Sequence, residues 1–329
     1  MVAVTGANGL LGSFIVRELI RQGIPYIALK RKNSDTSLLA DVTGNIQWRD
    51  ADILDPVQLG EVFDGVTRII HTAAVVSYNP RMARQVMEIN SVGTRNVINE
   101  ALARNVSRFI HISSVAALGR QKNQHVIDET NQWIDSPTHT VYAKSKYLAE
   151  LEVFRAHEEG LSVAVVNPSV ILAPADWNKS SARIFKYVWD QKKFYSDAVL
   201  NYVDARDVAQ ITVRLLENNS IEGERFVLNA GKIRLPDLFA EVASRFGKTA
   251  PKIKLNKSTL QTLARLEALR SRLTGADPLI TPETARLAGA DFIYDNSKIR
   301  KSLSFEFQPI EATLDWCCQY YREKKRAEN

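Results

Sequence analysis

The sequence is poor in cysteine, and its two cysteines, Cys317 and Cys318, are adjacent. Neighbouring cysteines are badly placed for an ordinary structural disulfide, so we expect reduced thiols and a cytoplasmic protein. No apolar run approaches the roughly 20 residues that a membrane-spanning helix needs, and the chain opens directly on a strand and turn instead of a targeting segment. We therefore predict no membrane partner.

Histidine is also scarce, and the five histidines show no metal-ligand spacing, which argues against a metal site. The formal net charge is +6, but the basic residues are scattered, and the clearest cluster is the terminal segment REKKRAEN. Scattered charge predicts no nucleic-acid partner and favours an anionic small molecule. With 329 residues, 45% of them hydrophobic, the chain can bury a large core.

A glycine-rich turn follows the first apolar segment. Val2 to Val4 read as a short strand, and Leu10 to Gln22 carries the apolar periodicity of a helix. Between them lies TGANGLLG, where Gly6 permits a tight turn, Gly9 lets a phosphate approach the backbone and Gly12 allows close helix packing. A strand that turns into a helix aims free amides at a diphosphate, aided by the helix dipole.

Strand and helix patterns continue to alternate along the chain, which predicts an α/β doubly wound parallel sheet, the Rossmann fold. The expected strands are 26–29, 46–49, 68–71, 108–112 and 161–166. Residues 1–167 with about 199–230 should form this dinucleotide-binding domain. A smaller, mainly helical substrate lobe should comprise about 168–198 with 231–309, including a basic helical stretch from 235 to 287. Residues 310–329 should form a C-terminal helix and basic tail.

Tyrosine followed four residues later by lysine occurs five times in the chain. One pair, Tyr142 and Lys146, lies on a predicted helix, Val141 to Glu159, so both side chains point the same way. The lysine ammonium can lower the pKa of the tyrosine, which could then exchange a proton with a carbonyl oxygen. A serine hydroxyl at the preceding strand end, from Ser114 or its neighbour Ser113, can hold that oxygen.

Taken together, these segments resemble the extended branch of the short-chain dehydrogenase/reductase superfamily, which is epimerase/dehydratase-like and includes dihydroflavonol reductases. The resemblance runs nearly the whole length, through TGANGLLG, DAD, HTAA, INSVGTRNV, YAKSK and NPSVILAP. It places the functional hydroxyl at Ser114. It implies active-site roles for Ser114, Tyr142, Lys146 and Asn90, and cofactor contacts from Gly6, Asn8, Gly9, Leu10, Asp52, Ile53, Ala73, Ala74, Tyr142, Lys146 and Asn167.

Several of these positions also have purely structural interpretations. Asp52 can cap a turn, Ala73 and Ala74 can serve packing alone, and Asn90 can be an ordinary helix residue. The end of the second strand, ALKRKNSD, places Arg31 and Lys32 where an acidic residue would usually meet a free ribose hydroxyl. This basic cluster fits the extra phosphate of NADP. The resemblance also implies this role for Arg31, because dihydroflavonol reductases carry an arginine at the same position. NAD is the alternative cofactor.

Three functions compete at this stage. The first is an NADP-dependent reductase or dehydrogenase that acts on a carbonyl or secondary alcohol of a small molecule. The second is a nucleotide-sugar epimerase with tightly bound NAD, and the third is a non-catalytic cofactor-binding regulator. A sugar dehydratase fits less well, because Val115 and Ala116 stand where such relatives carry Asp and Glu. The long segment 113–140 should rim the substrate site. The resemblance also implies a homodimer that joins the helices 81–104 and 141–159.

Overall fold

The computed structural model describes residues 1–120, 124–136, 139–177, 180–275 and 292–328. Its strands are β1 (Val2–Thr5), β2 (Tyr26–Lys30), β3 (Trp48–Asp50), β4 (Arg68–His71), β5 (Arg108–Ile112), β6 (Val126–Ile127), β7 (Ser162–Pro168), β8 (Val170–Leu172), β9 (Phe194–Tyr195), β10 (Val199–Asp204), β11 (Glu224–Leu228), β12 (Gly231–Arg234), β13 (Ile253–Lys254) and β14 (Ile293–Tyr294). Its helices are α1 (Leu10–Arg21), α2 (Pro56–Val62), α3 (Ala83–Met87), α4 (Thr94–Ala103), α5 (Val141–Glu158), α6 (Arg183–Trp189), α7 (Ala205–Glu217), α8 (Leu235–Phe246), α9 (Lys257–Thr274), α10 (Ser297–Leu303) and α11 (Ile310–Glu328).

A seven-stranded parallel sheet forms the centre of the protein, in the order β11-β7-β5-β4-β1-β2-β3. The inner strands β1 and β5 are buried along their whole length because helices cover both faces of the sheet. The helices α1 and α7 pack together over one face, and α2, α4 and α5 pack over the other. This arrangement confirms the predicted doubly wound α/β fold and each of the predicted strands.

The second lobe packs α6, α8 and α11 around an apolar cluster that includes Phe185, Leu238, Leu314 and Tyr321. The C-terminal helix is part of this cluster, with both cysteines buried and free, and the helix continues through the basic residues to Glu328. No helix in the described part of the chain is long and apolar enough to span a bilayer.

One strand of the segment 199–230 does not join the central sheet. The strand β10 pairs in parallel with β8 and antiparallel with β12, so it belongs to a separate three-stranded sheet instead of the central one. At the edge of the central sheet, the strand beside β7 is β11. The prediction that β11 returns to the central sheet is confirmed.

The helical predictions are also modified in detail. The stretch 81–104 is a succession of a 3-10 turn, α3, a π-helical segment at Glu88–Gly93, and α4. The basic stretch 235–287 comprises α8, β13 and α9 as far as residue 275. Parts of the predicted segments lie outside the described residues, namely 121–123, 137–138, 178–179, 276–291 and 329.

Candidate functional site

A continuous cavity of about 1930 Å³ opens at the carboxyl ends of the central strands and extends into the second lobe. Pockets for drug-sized ligands are commonly about 300–1,000 Å³, so this space can hold a dinucleotide together with a second molecule. Its walls combine the glycine turn after β1, the end of β5, the start of α5 and side chains of the lobe. Parallel sheets of this type bind ligands at the same edge.

The glycine turn packs closely against neighbouring backbone at positions where a side chain would not fit. Its free amides are therefore open to a diphosphate. Gly6 has φ +66°, and a Cβ atom there would lie 2.7 Å from the Cα of Ala73. A Cβ at Gly12 would overlap the carbonyl oxygen of Gly6. Gly9 precedes α1, and no described side chain caps the first amides of that helix. These amides and the helix dipole therefore fit an anionic diphosphate.

Three of the predicted active-site residues meet in the cavity, namely Ser114, Tyr142 and Lys146. The helix α5 starts at the cavity because the Thr140 hydroxyl accepts a hydrogen bond from the Ala143 amide at 3.1 Å. The hydroxyls of Ser114 and Tyr142 are hydrogen-bonded to each other. The Lys146 ammonium lies one helical turn beyond Tyr142 and donates to the Ile112 carbonyl at 2.7 Å. This arrangement can transfer a proton to or from an oxygen placed beside Tyr142.

The ionisation of these groups differs from the prediction. Burial raises the pKa of Tyr142, and the hydrogen bond from Ser114 opposes that rise without cancelling it. Burial also lowers the pKa of Lys146 to about 8. The predicted lowering of the tyrosine pKa is therefore not present in this structure, because burial penalises the phenolate more than the hydrogen bond from Ser114 favours it.

The hydroxyls of Ser113 and Ser114 have different hydrogen-bond partners. The Ser113 hydroxyl donates to the buried carboxylate of Glu150, so it is occupied away from the tyrosine. The Ser114 hydroxyl accepts from the Ala116 amide at 3.1 Å and faces the cavity. The predicted preference for Ser114 agrees with this geometry.

Asn90 lies in the π-helical segment between α3 and α4 and is buried. Its Oδ1 accepts from the Val75 amide at 2.7 Å, and its Nδ2 donates to the Val75 carbonyl and to the Ser145 hydroxyl, both at 2.9 Å. Asn90 therefore ties the strand-end segment after β4 to α5. In this structure it positions the walls of the cavity instead of contacting the reacting groups.

The residues predicted to contact the cofactor divide into two groups. Those that line the cavity are Gly6, Asn8, Gly9, Leu10, Arg31, Asp52, Ile53, Ala73, Ala74, Tyr142 and Lys146. Lys32 and Asn167 are not among the described residues that line it. Asn167 is buried, and its Nδ2 donates to the Ser114 carbonyl at 3.0 Å. Asp52 also caps a turn, because its carboxylate accepts from the Leu54 amide.

Two residues escaped the sequence analysis, namely Glu150 and Arg225. Glu150 follows Lys146 by one helical turn and is 1% exposed, and Arg225 on β11 pairs with it at 3.3 Å. A glutamate on the buried face of α5 was the available signal, because charged side chains are almost never fully buried unless they are paired. Its partner on a strand 75 residues away was not readable from spacing.

The segment 113–140 contributes to the cavity wall, as predicted. Its described part includes Leu118, Arg120, Ile134, Asp135, Ser136, His139 and Thr140 among the lining residues. Tyr78, which follows the strand-end segment of β4, also lines the cavity and packs edge-on against Tyr142, with ring centroids 6.0 Å apart. Tyr142 is thus enclosed between the ring of Tyr78 and the segment 113–140.

The comparisons with known proteins agree with this geometry. The model of the NAD dependent epimerase/dehydratase family matches residues 2–231. Cinnamoyl-CoA reductase 1 of Oryza sativa subsp. japonica is 32% identical over 268 residues, which cover 76% of this chain and 78% of that protein. Sterol demethylase protein B of Methylococcus capsulatus is 26% identical over 331 residues and covers 98% of both chains.

Solved structures show the same architecture. The crystal structure of gox2253 superposes with a TM-score of 0.85 at 31% identity and covers 99% of both chains. The UDP-glucose 4-epimerase of Thermotoga maritima shares the fold, with a TM-score of 0.80 at 19% identity, and covers 98% of this chain and 99% of that chain. This protein is therefore a member of the NAD dependent epimerase/dehydratase family, within the extended short-chain dehydrogenase/reductase superfamily of nicotinamide-dependent enzymes.

Proposed function

We propose that the protein is an NADP(H)-dependent oxidoreductase that interconverts a carbonyl and a secondary alcohol on a small molecule. The observation that carries this proposal is the Tyr142 hydroxyl, hydrogen-bonded to Ser114 inside the cavity, with the Lys146 ammonium one turn away. A bound nicotinamide supplies or accepts the hydride. Tyr142 gives a proton to the substrate oxygen during reduction and takes it back during oxidation, and Ser114 holds that oxygen.

The walls of the substrate side favour an apolar, ring-bearing substrate. Among the described residues, seven phenylalanine and tyrosine side chains besides Tyr142 line the cavity, namely Tyr78, Tyr187, Phe194, Tyr195, Phe239, Phe292 and Tyr294. Aromatic walls bind flat rings through apolar burial and stacking. The relatives' names point the same way, since they mention cinnamoyl-CoA and a sterol. A nucleotide-sugar epimerase is the competing function, and these walls give it little support.

The extra phosphate of NADP fits the end of β2. Arg31 lines the cavity just beyond that strand, whereas the Lys30 ammonium is occupied by the Asp50 carboxylate at 2.6 Å. An arginine can bind a phosphate through two parallel hydrogen bonds. This placement supports the preference for NADP over NAD.

The test compares cofactors and substrates in one assay. Purified protein is given NADPH or NADH with cinnamaldehyde, aryl ketones and ketosteroids, and separately UDP-glucose without added cofactor. We expect reduction of a ring-bearing carbonyl with NADPH preferred. Arg31→Ala should raise the Kd of NADPH by about 10- to 100-fold, because a charge-assisted bond contributes about 1.5–3 kcal/mol, and it should leave the Kd of NADH unchanged.

Arg326→Ala is the matched control, because it removes the same charge from an exposed position on α11 and should change neither Kd. Conversion of UDP-glucose to UDP-galactose by protein that retains NAD through purification would replace the reductase proposal with the epimerase one. Equal Kd values for NADPH in the Arg31→Ala variant and the original protein would remove the argument for NADP.

We also propose that two copies of the chain pair through the outer faces of α4 and α5. The two helices form one surface, bridged by the Arg155 guanidinium, which donates to the Asn99 side chain at 2.8 Å. Leu151 on this surface is 47% exposed. An exposed leucine among half-buried neighbours is typical of an interface between copies.

Leu151→Glu should convert the dimer into a monomer, because it would place two carboxylates in an apolar interface. Light scattering after size-exclusion chromatography measures the mass. Leu266→Glu is the control, since Leu266 is 57% exposed on α9, in the second lobe. A monomeric starting protein, or a dimer that survives the Leu151 change, would contradict this interface.

A further inference from the structure

A buried carboxylate, that of Glu150, lies next to Lys146 on the same face of α5. Glu150 follows Lys146 by one turn of α5 and is 1% exposed. Its Oε1 accepts from the Ser113 hydroxyl and from the Asn167 Nδ2, and its Oε2 accepts from the Arg225 guanidinium at 3.3 Å. Both oxygens thus face donors, which favour the ionised carboxylate and oppose the rise that burial causes in the pKa of Glu150.

Each partner of Glu150 is connected to the cavity wall. Ser113 immediately precedes Ser114 at the end of β5, and Asn167 holds the Ser114 carbonyl at 3.0 Å. A change at Glu150 therefore disturbs the backbone that presents the Ser114 hydroxyl to Tyr142. Burying a charge is costly unless all its partners are in place, so the network is sensitive to the loss of any one member.

Arg225 extends the network to the substrate side. Besides Glu150, its guanidinium donates to the Glu129 carbonyl at 2.7 Å and to the Asn131 carbonyl at 2.8 Å. These carbonyls belong to the segment 126–136, whose last residues, 134–136, line the cavity. One guanidinium thus joins the carboxylate beneath Lys146 to a wall of the substrate site.

Glu150 supplies the negative charge that stabilises the Lys146 ammonium, because the other titratable neighbours of Lys146 are neutral. His71 from β4 and His111 from β5 act on it electrostatically, and both are buried with their pKa values lowered by desolvation, so both are neutral. Tyr142 is neutral as well, since burial raises its pKa. Desolvation lowers the pKa of Lys146 to about 8, and the carboxylate of Glu150 opposes this effect.

We propose that Glu150 is a positioning residue that keeps Lys146 in the ammonium form and, through Arg225, aligns the Ser114 hydroxyl with the substrate-side segment 126–136. The inference rests on the proposed function, in which the Lys146 ammonium supports proton transfer by Tyr142. It adds a residue pair, Glu150 and Arg225, that controls both the charge of the site and the shape of its wall.

The first experiment measures the ionisation of Lys146 without any substrate. NMR titration of protein with Cε-labelled lysine follows this side chain, which is assigned from the spectrum of Lys146→Arg. In Glu150→Gln we expect the pKa of Lys146 to fall by about one unit, since an opposite charge at this range shifts a pKa by 1–3 units. Glu152→Gln is the control, because it removes a carboxylate from the same helix that pairs with Arg155 instead, and it should leave that pKa unchanged.

The pH profile provides the matching kinetic measurement. The rate of reduction requires the ammonium, so kcat/KM for cinnamaldehyde should decline above the pKa of Lys146. In Glu150→Gln this alkaline decline should move to lower pH by the same amount as the lysine titration. A purely structural role for Glu150 would lower the rate at every pH and leave the position of the decline unchanged.

Arg225 gives an independent test if Glu150→Gln fails to fold. Arg225→Met leaves the carboxylate without its cation and favours its protonated form, so the pKa of Lys146 should fall here as well. It should also raise the KM for cinnamaldehyde several-fold with an unchanged Kd for NADPH, because the segment 126–136 loses three hydrogen bonds to the guanidinium. Arg225→Lys should restore the lysine titration without restoring the KM, since one ammonium cannot replace the guanidinium fork.

The two proposals fail in different ways. If the pKa of Lys146 is the same in the original protein, Glu150→Gln and Arg225→Met, the inference is overturned whatever the enzyme reduces. If the titration shifts as expected but no carbonyl compound is reduced with NADPH, the charge network stands and the proposed function is the part that fails.

Discussion

Tyr142→Phe should lower kcat for carbonyl reduction by about 10³-fold, within the 10²- to 10⁴-fold range for loss of a general acid. The substitution removes a single oxygen and keeps the ring, which packs edge-on against Tyr78. The Kd of NADPH should change by less than about threefold, since the lost group acts on the reacting oxygen and not on cofactor affinity. Steady-state kinetics and a fluorescence titration of NADPH provide the two values.

A second tyrosine on the same helix provides the control. Tyr147 is half-buried and stacks on Trp133 with ring centroids 4.7 Å apart. Tyr147→Phe removes the same atom from α5, keeps the stacking, and should leave kcat unchanged. If Tyr142→Phe retained kcat within about threefold of the original value, another group would have to supply the proton.

Gly6→Ala should weaken NADPH binding at least about tenfold, which corresponds to 1.4 kcal/mol. A Cβ atom would lie 2.7 Å from the Cα of Ala73, and neither can rotate away, because the backbone fixes the position of the Cβ and the Ala73 Cα is itself a backbone atom. Relief requires the turn to move apart from the segment after β4, and this displaces the amides that face the diphosphate. We also expect a loss of folding stability of about 2 kcal/mol beyond the cost of the backbone angle, as for other overpacked sites.

Gly23→Ala separates the crowding from the backbone angle. Gly23 also has φ +66°, but no described atom lies within 4 Å of a Cβ placed there. This variant should show only the cost of left-handed backbone, about 1–2 kcal/mol, with an unchanged Kd for NADPH. Thermal unfolding and NADPH titration of both variants make the comparison. Equal effects at the two positions would mean that the close approach to Ala73 has no role in cofactor binding.

Local patterns were sufficient for much of the site. The helical spacing of Tyr142 and Lys146 placed both on one face, and both line the cavity as that spacing predicts. The glycine turn after β1 was likewise readable, since its requirement for small residues comes from the backbone of the turn and of the adjacent segment. These features depend on residues close in sequence, or on a strand order that the alternation of elements already implies.

Other features depended on partners that are distant along the chain. The Asn90 side chain faces Val75 because the π-helical segment rotates that part of the helix, which regular periodicity does not predict. Asn167 was predicted to contact the cofactor, and its amide donates to the Ser114 carbonyl and to the Glu150 carboxylate, two partners that local sequence does not indicate. The segment that contains β10 was predicted to belong to the domain of the central sheet. In the structure β10 pairs with β8 and β12 in a separate sheet, and no local pattern in the sequence indicates these partners.

The order of residues was thus enough to define the sheet, the diphosphate turn and the tyrosine–lysine pair, because hydrophobic periodicity and glycine spacing act over a few neighbouring positions. The three-dimensional arrangement decided which serine is free to act, and how burial sets the pKa of Tyr142 and of Lys146. It also joined Glu150 to Arg225 across 75 positions. Desolvation and long-range pairing depend on the packed interior, which no local pattern of residues specifies.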